Sequence, residues 1–513
     1  MTSASSPAAV LINIKRKENF LAMINNSVKI RTIVAIIMFT LMMSTGHAAS
    51  REINDLDITL AVDTQLENDD GVPAYLIDVQ TQDGVVTLSG SVPHLLARDR
   101  ADDIAATVKG VRSIINRLEV LPVVRSDDVI RREVERALKD DPATDLFDID
   151  VAVADGIVTL SGGVNSWQEQ HLCVKVTKGV RGVKEVRSDI KVSQALHRPD
   201  DEIQAEVLRK LAFDVWVVDE RINVRVLRGH VILSGTVGSL AEKKRVFMDA
   251  WVAGVASVDD RELQVNPLGD DNQMRRVSKA VVKPDNDVRQ ALEAAFAYDP
   301  RILSSELEIL VDNGIVTLKG RVENLAAKQA AEQDAENTAG VWQVKNHLKV
   351  RPDLIGPQTR PMPDLDADLA RDVRVALARN PYLYQHEISV TVNNHLAVIR
   401  GMVDSAFEKK MAAEAASRVR GIAAVENRLE LKRDWKPKDD WKIRQDIGDE
   451  LWWSPFVDED NISVSVSDGV ATLTGEVETL RERRIATQNA YEGGARQVRN
   501  HLKVRYGPKE LRP

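Results

Sequence analysis

Beyond residue 48 the histidines are His94, His171, His197, His230, His347, His386, His395 and His501. No two stand at the short spacing, with carboxylates beside them, that a locally built metal centre needs. Ser161 lies in Leu-Ser-Gly-Gly rather than in a Gly-x-Ser-x-Gly elbow, and reads as an ordinary strand residue. Cys173 is the single cysteine, which excludes an intrachain disulfide and a cysteine-built zinc site. Gly179-Val180-Arg181-Gly182 has the spelling of a KH nucleic-acid loop, but it occurs once, in a chain of net charge −9. No acid/base pair, nucleophile or metal set emerges, so neither catalysis nor a cofactor is expected, and nucleic acid is not an expected partner. The remaining chemistry is that of a surface. Trp435, Trp441, Trp452 and Trp453 crowd together with Phe456 close behind, and Arg496, Arg499, Lys503, Arg505, Lys509 and Arg512 gather near the C-terminal end against Glu510 alone. Tryptophan suits a membrane interface because its ring is apolar and its N–H polar. Clustered cations are drawn to anionic lipid.

Those groups must be held by something, and self-comparison shows what. Asp83-Gly84-Val85-Val86-Thr87-Leu88-Ser89-Gly90-Ser91-Val92 recurs as Asp155-Gly156-Ile157-Val158-Thr159-Leu160-Ser161-Gly162-Gly163-Val164. It returns at 228–237, 313–322, 394–403 and 468–477, with second glycines at 90, 162, 235, 320, 401 and 475. A second signature follows each copy, as in Gly110-Val111 to Asn116-Arg117-Leu118 and Gly340-Val341 to Asn346-His347-Leu348. Separations of 72 to 85 residues exceed solenoid periods and indicate whole small domains in tandem.

Copy two shows the local logic. Ile130, Val134 and Leu138 mark one face of a helix, with Ser126 or Asp127 to cap it. Asp148 to Val153 alternates as a half-buried strand. Asp155-Gly156 predicts a tight hairpin turn, because such turns need positive φ. Ile157 to Val164 returns, Asn165 or Ser166 opens a second helix bearing Trp167, Leu172 and Val176, and Val183 to Val192 forms a third strand. The expected fold class is α+β: a tandem array of six small α-β-β-α-β domains, each with two helices packed on a three-stranded sheet.

This pattern resembles the BON domain family (bacterial osmotically inducible and nodulation proteins), whose motif is an acidic-Gly-x-Val-x-Leu-x-Gly hairpin, a helix, then Gly-Val and an Asn-x-Leu strand. Copies one, two, four and six carry it nearly intact; copy three has Arg228 before its glycine and copy five has His395 in its place. The expected modules are 51–122, 126–194, 199–267, 284–352, 365–433 and 439–508. The resemblance implies an envelope or periplasmic protein that binds phospholipid or stabilises the envelope under stress.

Ahead of the modules, residues 1–49 read as a leader. Lys29 and Arg31 precede an apolar run from Ile33 to Met43, and small residues through Ala48-Ala49 follow. That run is shorter than the about 20 residues a bilayer span takes, and is built like a secretory signal peptide. Cleavage is expected after Ala48 or Ala49; an uncleaved anchor, and a translation start at Met23, are the alternatives. The expected location is the periplasm or cell envelope. Lys-Pro-Asp-Asn at 283–286 and the proline-rich run 351–363 read as linkers dividing copies one to three, copy four, and copies five and six.

Residues 51–120 hold 6 basic and 13 acidic side chains, so copy one is repelled by anionic lipid while the C-terminal end is attracted. The candidate lipid contacts are therefore Trp452, Trp453, Phe456, Arg496, Arg499, Lys503 and Arg505, with an anionic phospholipid surface as partner. Packing of the tryptophans between copies five and six is the competing explanation for them. Envelope proteins, held by a multivalent or chaperone-like scaffold, are the alternative partners.

Overall fold

The computed structural model describes residues 53–145, 147–193, 198–266, 282–302, 307–350, 366–432 and 438–505. The leader, Trp435, His197, Lys509 and Arg512 lie outside them.

Each module opens with a 14-residue helix: Asp55–Asn68, Asp127–Asp140, Asp200–Phe213, Asp285–Tyr298, Asp366–Arg379 and Asp440–Trp453. A hairpin follows, in module two Ile149–Ala154 and Ile157–Val164. A second helix then crosses over to a third strand, here Trp167–Lys178 and Glu185–Val192. The returning hairpin strand is central, antiparallel to the first strand and parallel to the third. Both helices cover one sheet face. The central strand sends Val158 and Leu160 into the core beneath Ile130, Val134 and Cys173, and leaves Thr159 and Ser161 on the opposite face. Every module repeats this arrangement with an aliphatic core, as the low aromatic content implies.

The hairpin turns explain the Asp-Gly spelling. Asp155 and Gly156 have φ of 53° and 77°, both left-handed, a combination that suits Asp or Asn followed by Gly. In module five His395 adopts φ 63° at that place, and its Nδ1 lies 2.8 Å from the Gly421 carbonyl. That contact offsets part of the cost of a side chain there.

The first residue of every first helix clamps its own turn. Asp127 accepts the Asp155 and Gly156 N–H groups at 2.9 and 2.9 Å, and Asp55, Asp200, Asp285, Asp366 and Asp440 do the same in their modules. Ser126 makes no side-chain cap. Asp127→Ala should cost about 1–2 kcal/mol, the scale of a lost cap at a partly exposed site. Hydrogen exchange of the Asp155 and Gly156 amides in the intact chain reads this loss; unchanged protection there would refute the clamp.

The 283–286 segment is not a linker throughout, since Pro284 immediately precedes a helix that starts at Asp285. Nor do the modules separate into three groups: from Ile53 onward they form one compact unit. A recurring backbone bond joins them in pairs. The Lys109 N–H donates to the Trp453 carbonyl at 3.2 Å, Arg181 to Arg379 at 3.1 Å and Ala339 to Phe213 at 2.7 Å. Each donor precedes the glycine after a second helix, and each acceptor ends a first helix. Modules one and six, two and five, and three and four are thereby paired, a nested order in which the chain folds back on itself.

Other contacts bind the pairs together. Trp167 of module two stacks on Trp251 of module three, with ring centroids 5.3 Å apart. Lys178 pairs with Asp99 at 2.7 Å, and Lys244 with Asp102 at 2.6 Å, tying modules two and three to module one. Arg484 pairs with Glu336 between modules six and four. Second helices from several modules border a chamber of about 1340 Å³.

Candidate functional site

The residues common to the modules serve the fold. Asn116 receives the Leu118 N–H on Oδ1 and donates through Nδ2 to the Arg98 carbonyl, tying the third strand to the second helix. Asn346, Asn427 and Asn500 repeat that double bond in modules four, five and six. This is the physical content of the Asn-x-Leu signature. Whatever distinguishes one module from another must therefore lie in the residues that do not repeat.

The isolated reactive side chains are occupied. Burial pushes the Cys173 thiol up to about 12, with Glu169 and Asp141 adding to the effect. Burial lowers His94 to about 4, and its Nδ1 accepts the Ala97 N–H at a helix start. The Arg181 N–H of the Gly-x-x-Gly loop is spent on the Arg379 carbonyl, inside a module seam.

One grouping was invisible in the sequence. His386, Asp404 and Glu408 bring their ligand atoms within 4.8 Å of one another. Lys432 already fills the space a cation would take, with Nζ 3.1 Å from His386 Nδ1 and 3.4 Å from Asp404. His386 Nε2 faces Glu408 at 3.1 Å, and the same Glu408 oxygen receives the Asp404 and Ser405 N–H groups. The set is a closed hydrogen-bonded network around a helix start.

The seven surface candidates divide sharply. Phe456 is buried, its ring edge-on to Trp216 of module three at 4.2 Å. Trp453 packs on the core of module one, and Trp452 lies under Lys109 of module one at 5.2 Å. The insertion role for these three is thus corrected: their rings are engaged between modules. Packing between modules five and six is corrected too, since the partners belong to modules one and three. Module pairing captures them because they close the end of a first helix that another module must cover. Trp441 is the exposed one, at 64%.

The basic candidates fare differently. Arg496, Arg499 and Lys503 are exposed, the latter two on the same outward face of the edge strand Gln497–Val504. Arg505 is held by Glu478 at 2.6 Å and is not available. Reading across strands adds a surface the sequence analysis missed. Module four turns Lys319, Arg321, Lys345, His347 and Lys349 outward, opposed by Glu308 and Asp312 at the hairpin edge. The signal was present in Asn346-His347-Leu348-Lys349-Val350, identical to Asn500-His501-Leu502-Lys503-Val504. Charge summed along the chain hid it, because cations from adjacent strands meet only when the sheet forms. The corresponding third strand of module two alternates Glu185, Arg187, Asp189 and Lys191, and Glu185 pairs with Arg187 at 2.8 Å.

Comparison with known proteins places this repeated unit. Osmotically-inducible protein Y of Escherichia coli (strain K12) is 31% identical over 146 residues, 27% of this chain and 73% of that protein. Among solved structures, the C-terminal domain of CdsD, the structural protein of the type III secretion system of Chlamydia trachomatis, matches at 18% identity. That match covers 39% of this chain and 90% of the other at a TM-score of 0.12. A second CdsD structure matches at 16% identity, 43% and 92% coverage and the same TM-score of 0.12. Among the described residues no helix is long and apolar enough to cross a membrane. The BON domain itself is matched six times, at 54–122, 126–194, 199–267, 284–352, 365–433 and 439–506, and with most of its length so accounted for the chain belongs to the BON domain family.

Proposed function

We propose that the protein is a non-enzymatic component of the cell envelope, acting under osmotic stress, whose paired modules present two cationic sheet faces to anionic phospholipid. The observation that carries this reading is the outward set Lys319, Arg321, Lys345 and Lys349 on module four, with Arg496, Arg499 and Lys503 on module six. Both are outer faces of sheets whose inner faces are filled by helices, so charge on them costs the fold little. Similarity to an osmotically inducible protein supports the setting. Export through the leader, and a periplasmic location, belong to the same reading.

Near an anionic membrane each basic side chain contributes about 1 kcal/mol, screened beyond a Debye length. With Trp452, Trp453 and Phe456 engaged between modules, the binding is chiefly electrostatic and salt-sensitive. Flotation of the intact mature chain with phosphatidylglycerol vesicles tests this. Changing Lys319, Lys345 and Lys349 together to Glu, or Arg496, Arg499 and Lys503 together to Glu, should each weaken flotation by roughly tenfold or more, from the cost of several cations. Binding equal to neutral vesicles, or a large salt-resistant remainder, would defeat the reading. Lipid-independent capture of envelope proteins by the same faces would favour the scaffold alternative.

A further inference from the structure

The second helices of modules one, two, three, five and six all reach the chamber of about 1340 Å³. In module six the helix Leu480–Glu492 does so through Arg481, Ile485, Gln488 and Glu492, spaced three and four apart, so one stripe of it faces inward. Leu96, Leu240, Phe247, Met248, Met411 and Ile485 give the wall half-buried apolar surface from four of these helices. Most cations in the wall are matched. Arg100 holds Asp69, Lys178 holds Asp99 at 2.7 Å, Lys244 holds Asp102 at 2.6 Å and Lys243 faces Asp260 at 3.7 Å. Arg481 is not. Its half-buried side chain lies over the Trp216 ring, 4.5 Å from the centroid, and makes no hydrogen bond or ion pair among the described residues. Its Nε is buried without an acceptor. Burial, then the neighbouring Arg245, push the guanidinium below its ordinary value, and Asp214, which opposes them, is committed to Arg245 at 2.6 Å. The equivalent helix position holds Leu96, Gln168, Ala241, Ala326 and Phe407 in the other modules, so this cation is a departure from the repeat.

A partly desolvated cation beside apolar surface costs stability unless an anion meets it, and the fold supplies none here. We propose that the chamber binds a long-chain fatty acid, with its carboxylate on Arg481 and its alkyl chain along the apolar wall. The guanidinium fork matches a carboxylate through two parallel N–H donors. Methionine side chains adapt to a flexible chain. One unmatched cation balances one negative charge, and the carboxyls of Glu450 and Glu492 in the same wall disfavour a dianion. The other cations are spent on the wall's own carboxylates, which leaves little to hold a larger polar headgroup. The chamber exceeds the roughly 300–1,000 Å³ of an ordinary small-molecule pocket, enough for a long chain. The site is separate from the outward faces of modules four and six, so either assignment can fail alone.

The intact chain is titrated with octanoate, decanoate and dodecanoate below their micellar concentrations, with dodecanol as the uncharged probe and acetate at matched ionic strength. Binding is followed by the 13C resonance of carboxyl-labelled fatty acid, by displacement of labelled dodecanoate, and by melting temperature. Dodecanoate should bind saturably and raise the melting temperature, and acetate should do neither. Affinity should grow roughly three- to fourfold for each methylene buried. Arg481→Gln should weaken dodecanoate by roughly tenfold or more, the worth of one charge-assisted contact, and leave dodecanol unchanged. Arg481→Lys should restore most of the loss, which a merely structural role for the arginine would not explain. Changing Lys319, Lys345 and Lys349 together to Glu should leave dodecanoate binding intact, which separates this site from the outward faces. A lysophosphatidylglycerol of the same chain that binds more tightly than dodecanoate would overturn the fatty-acid assignment. No saturable binding, an affinity that is flat across the chain series, or wild-type binding by Arg481→Gln with native circular dichroism, would overturn the proposal.

Discussion

Replacing Gly162 by Ala should unfold module two, whereas the same change at Gly156 should only weaken it. Gly162 has φ 135°, and a Cβ there would sit 2.3 Å from the Asp148 carbonyl oxygen. Gly162 pairs with Ile149 at the start of the hairpin, so the obstructing atom belongs to the opposing backbone, which cannot rotate away. Strain at such a φ and overpacking each cost about 1–3 kcal/mol, so the sum is about 2–6 kcal/mol. That is most of what a module of this size has to spare. Gly156, at φ 77°, would bring a Cβ no nearer than 3.2 Å to the Gly182 carbonyl and the Lys184 side chain, and the latter gives way. Hydrogen exchange across Val151 and Leu160 in the intact chain separates the two. Equal protection in Gly162→Ala and Gly156→Ala would show that the close approach does not limit the fold. Gly90, Gly235, Gly401 and Gly475 meet carbonyl oxygens at 2.0–2.5 Å in the same way, so the requirement belongs to the module.

That ranking was only half legible from sequence. Both glycines repeat, but the turn glycine announces itself through its Asp or Asn neighbour. Gly162 and its equivalents recur near the end of a strand, which points to close backbone packing or a bulge, but the size of the clash is set only when the partner backbone is placed over them. The Asp clamp was hidden for a similar reason. Asp127 stands 28 residues before Asp155, and an Asp opening a helix is already explained locally by capping. Helices, strands and register follow from periodicity and turn chemistry, which act over a few residues. Module pairing does not, because its contacts join the ends of the chain and use unlike side chains: Trp453 on module one, Arg379 with Asp140, Phe213 beside Ala339. Trp452, Trp453 and Phe456 therefore had the character of a surface while they were seam. His386, Asp404 and Glu408 met only because a strand and a helix start bring distant segments together.

The seam between modules one and six should loosen as pH rises. Glu450, on the helix Asp440–Trp453, is 5% exposed and accepts the Asn68 amide at 2.9 Å. Burial raises its carboxyl to about 7; Glu492, Asp449 and Asp446 push the same way, against the Asn68 hydrogen bond. Glu492 is itself raised, by burial first and then by Asp69, with Arg100 opposing; Arg100 is committed to Asp69. Burial also raises Asp70 and Glu459, the latter lying 3.8 Å from Lys109 across the seam. The folded state therefore holds a proton on Glu450 that the unfolded chain has already released. Its stabilising share is complete below the ordinary value of 4.5, declines as pH climbs, and is gone above about 7. A displacement of that size corresponds to about 3 kcal/mol. Glu450→Gln retains an acceptor for Asn68 and cannot ionise. It should match the wild type near pH 4.5 and exceed it by up to about 3 kcal/mol at pH 8. Urea unfolding of the intact chain at both pH values, with protection of the Lys109 amide as the local reporter, measures the difference. Because other buried carboxylates titrate in both proteins, only the gap between variant and wild type is decisive. A gap that does not widen from pH 4.5 to pH 8 would show that Glu450 is not the group through which acid holds the first and last modules together.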